Sequence, residues 1–279
     1  MRIVSVENIK KITQARQMIS STHLHRSQSL LEAARAYNQR LDSLAATLYY
    51  SDNMQPSSPL AQQRDAGAVV LIAIASNSSM CGTFNSRMIK ETLDVARKYE
   101  GQELLIFPIG EKLRRAVVEA GYVPQGKYDY LSGKTTYAEA VKLVEDLIQR
   151  FVLGRVKEVL MLHYHYRNML TQNIVHQPLL PCAAPGADAA REHLDPDSHI
   201  LEPSHEALCN DVVQQALKAK FYAALLDTHT SEHAARTMTM QMANDNANEM
   251  LDDLHLNYNK LRQQNITAEL LDIVAGTFA

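Results

Sequence analysis

The sequence predicts an α/β protein in which a long antiparallel coiled coil of N- and C-terminal helices is joined to a smaller α/β middle domain. Three observations support this fold: the placement of proline and glycine, apolar repeats at both ends, and strands alternating with helices between them. All nine prolines lie between Pro56 and Pro203, and nine of the ten glycines lie between Gly67 and Gly186. Because these residue types destabilise helix interiors most, the two ends that lack them are predicted to be long helices.

Apolar residues at each end repeat with the spacing of a coiled coil, in steps of three and four that align side chains on one helix face. In the predicted N-terminal helix, residues 1–55, these residues are Leu30, Ala34, Tyr37, Leu41, Leu44 and Leu48. In the predicted C-terminal helix, residues 204–279, they are Ala243, Ala247, Met250, Leu254, Tyr258 and Leu261.

The two predicted helices carry opposite charges. Residues 1–50 hold seven Lys or Arg and three Asp or Glu, whereas residues 204–279 hold five and ten. Since the middle of the chain returns it to its start, we expect the helices to pair antiparallel, with modest help from ion pairs. At about 1.5 Å per residue they are longer than a globular domain is wide, so they should project from the middle domain. The alternative is that each helix packs separately on a larger core.

The middle of the chain, residues 66–182, alternates apolar runs with helical patterns. A continuous apolar run predicts a buried strand at Val69–Ile74. Further strands are predicted at Leu104–Ile109, Val156–Tyr164 and Thr171–Leu180, with amphipathic helices between the first three. This alternation indicates a mostly parallel sheet covered by helices. Thr136 is predicted to cap the third of these helices, and Ser204 to cap the C-terminal helix after a proline-rich loop over residues 183–203.

Composition excludes several classes of protein. The 279 residues are 46% apolar and 21% charged, with a net charge of −3, which gives no electrostatic footprint for nucleic acid. Three widely spaced cysteines make neither a disulfide framework nor a cysteine zinc site. No apolar run reaches the length of a membrane-spanning helix, so we expect no direct insertion into a membrane.

Three patterns that resemble catalytic or metal sites are weak. His229, Glu232 and His233 match the H-x-x-E-H zinc signature, but no third ligand is identified, and the segment lies in a predicted coiled-coil helix. Cys81 follows the first strand, where α/β enzymes place nucleophiles, yet no base is singled out. His163 and His165 share one face of a strand, but two ligands alone bind a metal weakly. We therefore expect no catalytic, metal or cofactor residues, and a stand-alone Cys/His hydrolase remains an alternative.

Two incomplete phosphate loops are also present. Gly121 and Gly126 precede Lys127 with the required spacing, but Tyr128 stands where a Ser or Thr should bind magnesium. Residues 132–135 supply only the second half of the pattern. We expect no nucleotide binding from either segment.

Several stretches resemble the γ subunit of F-type ATP synthases. They are residues 3–8 (IVSVEN) with 11–13 (KIT), 78–85 (SSMCGTFN), 231–236 (SEHAAR), 245–247 (DNA), 258–263 (YNKLRQ) with 266–267 (IT), and 273–276 (IVAG). They follow one another in the family's order and span nearly the whole chain.

This resemblance implies a fold and a function. The fold is an antiparallel coiled coil with a Rossmann-like α/β middle domain. The function is that of the central-stalk rotor, which couples proton flow through the membrane sector to the conformational cycle of the catalytic β subunits. The implied partners are the hexameric ring of α and β subunits, the ε subunit and the membrane c-ring. The implied location is the cytoplasmic face of the inner membrane, where the chain would be a peripheral, non-catalytic subunit.

The resemblance also assigns partner-binding residues, position by position. Polar contacts with the ring are implied for Arg236 and Gln263, with Thr267 and Glu269 nearby. An apolar shaft tip running in an apolar sleeve is implied for Ile266, Leu270, Ile273, Val274 and Phe278. The chain departs from the family at Arg16, which replaces an uncharged residue, so the second alternative is a divergent or paralogous γ-like subunit that assembles with the ring but couples poorly.

Overall fold

A computed structural model of the chain describes residues 2–50, 58–133, 135–182, 202 and 204–277, and within the helices it leaves the side chains of residues 49, 50, 205, 272 and 274–277 undescribed. In chain order the elements are α1 (Arg2–Tyr50), β1 (Ala68–Ile74), α2 (Phe84–Lys98), β2 (Leu104–Ile109), α3 (Glu111–Glu119), a 3₁₀ turn (Asp129–Ser132), α4 (Tyr137–Val152), β3 (Val156–Tyr166), β4 (Gln172–Leu180) and α5 (His205–Thr277).

The four strands form one sheet in the order β2-β1-β3-β4. Strand β1 pairs in parallel with both β2 and β3, and β3 pairs antiparallel with β4. All seven residues of β1 are buried, as expected for a central strand covered on both faces. The prediction of a mostly parallel α/β sheet is therefore confirmed, with β4 returning from β3 as a hairpin.

Helices cover both faces of the sheet. On one face, Leu71 and Ala73 of β1 pack in a cluster with Met88 of α2 and with Leu113 and Val117 of α3. On the other face, a larger cluster joins the sheet to α4 and to the first half of α5, with members Val70, Ile72, Phe107, Val144, Leu147, Phe151, Leu217, Phe221 and Leu225. The long helix α5 is thus built into the core of the α/β layer before it leaves it.

Predicted caps begin two of the helices. The Thr136 side chain accepts a hydrogen bond from the backbone N–H of Glu139, and the Glu139 carboxylate accepts one from the backbone N–H of Thr136, which makes a capping box for α4. At the start of α5, the backbone N–H of Ala207 donates to Ser204 Oγ at 3.3 Å. Both caps satisfy N–H groups that the first helical turn leaves unpaired.

Helices α1 and α5 form an antiparallel pair along most of α1. Near the start of α1, Gln17 hydrogen-bonds to Gln241. Further along, the rings of His23 and His233 stack with centroids 5.2 Å apart. Lys220 Nζ lies 2.8 Å from Asp42 Oδ1, and Leu48 packs against Val212. Residue numbers rise on one helix as they fall on the other, so the predicted antiparallel coil is confirmed.

The predicted contact seam is displaced by one residue in parts of both helices. On α1, Leu30 and Tyr37 are 48% and 49% exposed, whereas Leu31 is buried and Asn38 half-buried. On α5, Met250 is 54% exposed, and Leu251 is the buried residue. The prediction followed apolar residues, but the buried face of α1 also includes polar residues, Thr13 and Ser20, which an apolar count passes over.

The far end of α5 carries exposed side chains only. From His255 to Leu271, and again at Ile273, every described side chain is exposed. We call residues 255–277 the projecting segment; at about 1.5 Å per residue it is roughly 35 Å long. None of the described helices combines the length and the apolar character that crossing a bilayer requires.

Candidate partner-binding site

The projecting segment presents large apolar side chains to solvent. Ile266, Leu270 and Ile273 are 48%, 58% and 64% exposed, and their spacing of four and three residues places them on one face of α5. Leu256, Tyr258, Leu261 and Leu271 are also more than half exposed. A concentration of exposed apolar residues on one protruding element is typical of a surface that binds another protein.

The polar residues predicted to bind partners lie among these apolar ones. Gln263, Thr267 and Glu269 are all exposed. The Thr267 hydroxyl donates to the Gln263 carbonyl at 2.8 Å, within the helix. Val274 belongs to α5, but its side chain is not described, and Phe278 lies outside the described residues. Six of the nine predicted residues therefore have described side chains on the projecting segment.

Arg236 lies elsewhere, beside the α/β domain. Its side chain is 9% exposed; Nη2 donates to Glu232 at 2.6 Å, and Nε approaches the Ser79 carbonyl at 3.4 Å. Burial of both charges makes this i,i+4 pair a strong constraint on local structure, because removing one partner leaves the other buried and unpaired. Arg236 thus ties α5 to the loop after β1. Its contact with a partner stays a prediction.

A polar junction that the sequence did not indicate joins α1, α5 and β3. Asp227 of α5 has a side chain that is 8% exposed, and it accepts from Arg35 Nη2 at 2.9 and 3.1 Å. The same carboxylate accepts from the backbone N–H of Tyr166 at 2.7 Å and lies 3.1 Å from His165 Nδ1. Gln28 of α1 donates to the Tyr166 hydroxyl at 2.6 Å. We call this region, with the adjacent residues 229–236, the neck.

The H-x-x-E-H residues lie in the neck and do not converge on a metal site. His229 is buried, His233 stacks on His23, and Glu232 is held by Arg236. Burial lowers the pKa of His229, and burial lowers the pKa of His233 to about 4. Across the described residues, no three His, Cys, Asp or Glu side chains come together as metal ligands.

The two strand histidines make separate contacts. His163 Nε2 lies 2.9 Å from Gln177 Oε1, and its other ring nitrogen faces the Tyr164 carbonyl at 3.1 Å. Burial lowers the pKa of His163. His165 instead faces Asp227 in the neck. The strand histidines therefore serve two different hydrogen-bond networks.

Cys81 has the surroundings of an unreactive thiol. It is 3% exposed, its sulfur lies 3.7 Å from the Ser78 carbonyl, and burial raises its pKa. Nucleophilic cysteines need the opposite shift, toward the thiolate.

The glycine-rich segment is filled by its own tyrosine. A Cβ atom on Gly126 would lie 2.6 Å from Tyr128 Cε2, so the Tyr128 ring packs directly against this glycine. Lys134, part of the second partial motif, lies outside the described residues.

Comparison with protein families gives a match over the whole chain. A family model described as ATP synthase matches residues 1–279. The ATP synthase gamma chain of Bacteroides fragilis is 39% identical over 283 aligned residues, covering 100% of this chain and 97% of the relative. The gamma chain of Parabacteroides distasonis is 39% identical with 99% and 95% coverage, and that of Flavobacterium johnsoniae is 31% identical with 100% and 96% coverage.

Solved structures agree with the fold. A chain of the Euglena gracilis mitochondrial ATP synthase, in the structure of its OSCP, F1 and c-ring, gives a TM-score of 0.62 at 18% identity and covers 99% of this chain and 92% of that one. A chain of the Tetrahymena thermophila mitochondrial ATP synthase central stalk and c-ring gives a TM-score of 0.58 at 20% identity, covering 83% and 99%. At these identities the likeness concerns the fold alone.

Proposed function

The chain belongs to the ATP synthase gamma-chain family, and we propose that it works as the rotor that couples proton flow to the conformational cycle of the catalytic β subunits. Its partners in this proposal are the ring of α and β subunits, the ε subunit and the c-ring. The curated relatives carry the gamma-chain name over their full length, and the solved structures with the same fold include a central stalk and a rotor.

The main structural support for the rotor role is the projecting segment. A rotor must contact the ring over an element that reaches into it, and α5 supplies one with an exposed apolar face at Ile266, Leu270 and Ile273. Apolar contact is non-directional, so it resists rotation less than a fixed set of hydrogen bonds does. From the family resemblance we assign Val274 and Phe278 to the same apolar contact with the ring, with Gln263, Thr267 and Glu269 as polar contacts nearby.

Rotation drives chemistry only if the shaft discriminates between β-subunit conformations. A shaft that bound every conformation equally would shift no population, however tightly it bound. In this proposal one apolar face on a single helix meets the requirement by stabilising, at each angle, one conformation of the subunit that it touches. In this proposal Arg236 makes its polar contact with the ring away from the projecting segment, where the coil meets the α/β domain.

The chain is non-catalytic in this proposal, and the chemistry belongs to the β subunits. Supporting this, Cys81 is buried with a raised pKa, and His229 and His233 belong to the neck. We place the chain peripherally at the cytoplasmic face of the membrane. We also propose four structural units along it: residues 1–55, 66–182, 183–203 and 204–279.

Reconstitution tests the rotor role. The full chain, co-expressed with the α and β subunits of the same organism, should co-purify with them and support ATP hydrolysis. With the membrane sector added, hydrolysis should acidify vesicles. Leu270→Asp should reduce hydrolysis and pumping together, because it places a charge on the apolar face. Val123→Asp, at a 75% exposed apolar residue of the α/β domain, is the matched control.

Two outcomes distinguish the alternatives. Hydrolysis without pumping by the unmodified chain would indicate a paralogous subunit that assembles but couples poorly. Arg16, which is exposed on α1, would then be replaced by Met to test whether its charge is the cause. No association with the α and β subunits would overturn the rotor proposal.

A further inference from the structure

A crevice of about 420 Å³ lies where the coiled coil meets the α/β domain. Helices α1 and α5 form one side, and the loops that carry Ser78 and Ser132 form the other. Ser78 follows β1, from which the chain first passes to β2 on one side and later to β3 on the other. Ligands of open α/β sheets bind at such a switch point, outside the carboxyl ends of the strands.

A buried acceptor in this crevice lacks a donor. His229 is 9% exposed, and the backbone carbonyl of Leu131 is the backbone group that faces its ring. Its Nε2 has no partner among the described residues. We assign the proton of the neutral ring to the nitrogen that faces this carbonyl, which leaves Nε2 as an acceptor. His233 Nδ1, also on the crevice wall, is likewise buried without a partner in the described part of the chain.

Donors and positive charge face the same space. Arg26 of α1 lines the crevice, is exposed, and forms no ion pair with any described residue. Arg236 uses Nη2 for Glu232 and Nε for Ser79, which leaves Nη1 with N–H groups to donate. Glu232, paired with Arg236, is the carboxylate on this wall, and His23 and Tyr222 are the remaining titratable groups.

These groups specify a ligand that both accepts and donates hydrogen bonds. Arginine N–H groups bind the oxygens of an oxyanion, whereas a neutral imidazole Nε2 needs an O–H. At neutral pH inorganic phosphate retains a P–OH group, and sulfate carries no proton. A metal ion does not fit, since no trio of ligating side chains is present among the described residues.

We propose that the neck crevice binds inorganic phosphate in a protonated form, with Arg26 and Arg236 holding its oxygens and His229 accepting its P–OH. Binding there joins α1, α5 and the loop after β1, and therefore stiffens the junction of the coil with the α/β domain. Arg236 is shared with the predicted ring contacts, but no crevice residue lies on the projecting segment, and anion binding is measured on the chain alone, so the test does not depend on the rotor role.

Calorimetric titration of the full chain with sodium phosphate, and separately with sodium sulfate at matched ionic strength, tests the proposal. At neutral pH, phosphate should bind at least about tenfold more tightly than sulfate. His229→Leu removes the acceptor and should abolish that preference. Arg26→Gln should weaken the binding of both anions. Arg97, whose side chain is 69% exposed and pairs with Asp94 on α2, provides the control: Arg97→Gln should weaken the binding of neither anion.

Circular dichroism of each variant shows whether it folds. Arg26 is exposed, so Arg26→Gln keeps the test decisive even if His229→Leu unfolds the chain. Absence of saturable phosphate binding at millimolar concentrations, equal affinity for phosphate and sulfate in the unmodified chain, or an equal loss in Arg26→Gln and Arg97→Gln would each overturn the proposal.

Discussion

Arg35 of α1 and Asp227 of α5 form an ion pair, 2.9 Å between Nη2 and Oδ1, although 192 residues of chain separate them. The pair sits where both long helices meet β3, because the Asp227 carboxylate also accepts from the backbone N–H of Tyr166. One buried carboxylate therefore holds three elements together: two helices of the coil and a strand of the sheet.

Replacing Asp227 should destabilise the chain far more than breaking a surface pair. Asp227→Ala leaves the Tyr166 N–H without its acceptor and the Arg35 guanidinium without its carboxylate, although Arg35 keeps its bond to the Tyr166 carbonyl. We expect a loss of about 2–4 kcal/mol in the free energy of unfolding. Asp94→Ala breaks the exposed pair with Arg97 and should cost at most about 0.5 kcal/mol. Urea unfolding measures both, and equal losses would contradict this account of the neck.

Stability should fall as the pH falls from about 6.5 toward 4. Burial lowers the pKa of His233 from 6.5 to about 4, against opposing attraction from Glu232 and beside Arg236, His23 and His229. Between these two pH values the unfolded chain binds a proton at this histidine and the folded chain does not, so acid favours unfolding. Above pH 6.5 the histidine is neutral in both states and costs no stability. His233→Gln should flatten the pH dependence of the urea midpoint in this range; an unchanged slope would show that His233 is not its source.

Side chains of the projecting segment should matter for coupling and not for folding. Leu270 is 58% exposed, so Leu270→Gln should change the free energy of unfolding by less than about 0.5 kcal/mol. The same variant should lower ATP hydrolysis of the reconstituted complex, because a polar group enters an apolar contact. Val123→Gln, on the α/β domain, should change neither quantity. A Leu270→Gln chain that unfolds more easily would place this residue in an internal contact.

A methyl group at Gly82 should strain the loop that packs on α5. Gly82 has φ +60, and an added Cβ would lie 2.9 Å from Thr239 Oγ1. Gly82→Ala should therefore cost about 1–3 kcal/mol, from the left-handed backbone and from this contact. Thr239→Ala in the same chain should recover only the contact part. Gly101→Ala provides the comparison, since Gly101 has φ +91 and nothing lies within 4 Å of its Cβ position; equal costs at the two glycines would remove the contact from the explanation.

The elements were predictable because each depends on neighbours in sequence. Long helices follow from the lack of proline and glycine at the two ends, and β1 follows from a continuous apolar run whose residues are all buried. The seam of α1 was less accessible to prediction. Its face toward α5 includes the half-buried polar Asn38, so an apolar repeat selects the neighbouring Tyr37, which faces solvent, and it does not distinguish Leu30 from the buried Leu31.

The candidate sites depend on contacts that a single sequence does not display. Asp227 gives no local signal that its partners are Arg35 and the backbone of Tyr166, which are distant in the chain. The partner-binding residues of the projecting segment could be predicted only from the family resemblance, because the sequence of a long helix does not distinguish exposed leucines from buried ones. The histidines of the neck have the spacing of a zinc site in the sequence. Only the structure shows that His229 is buried and that His233 stacks on His23, so that the two do not form a zinc site with Glu232.

The polar cross-links between α1 and α5 fix how the two rods are wound together. Sliding α1 along α5 by one heptad would keep a similar apolar spacing, yet it would move Arg35 about 10 Å from Asp227 and leave a carboxylate stranded in the interior. Such slippage is therefore blocked at the neck. Under load the two helices are held together at the neck, so a twisting force applied at the α/β domain turns both rods and does not slide one past the other.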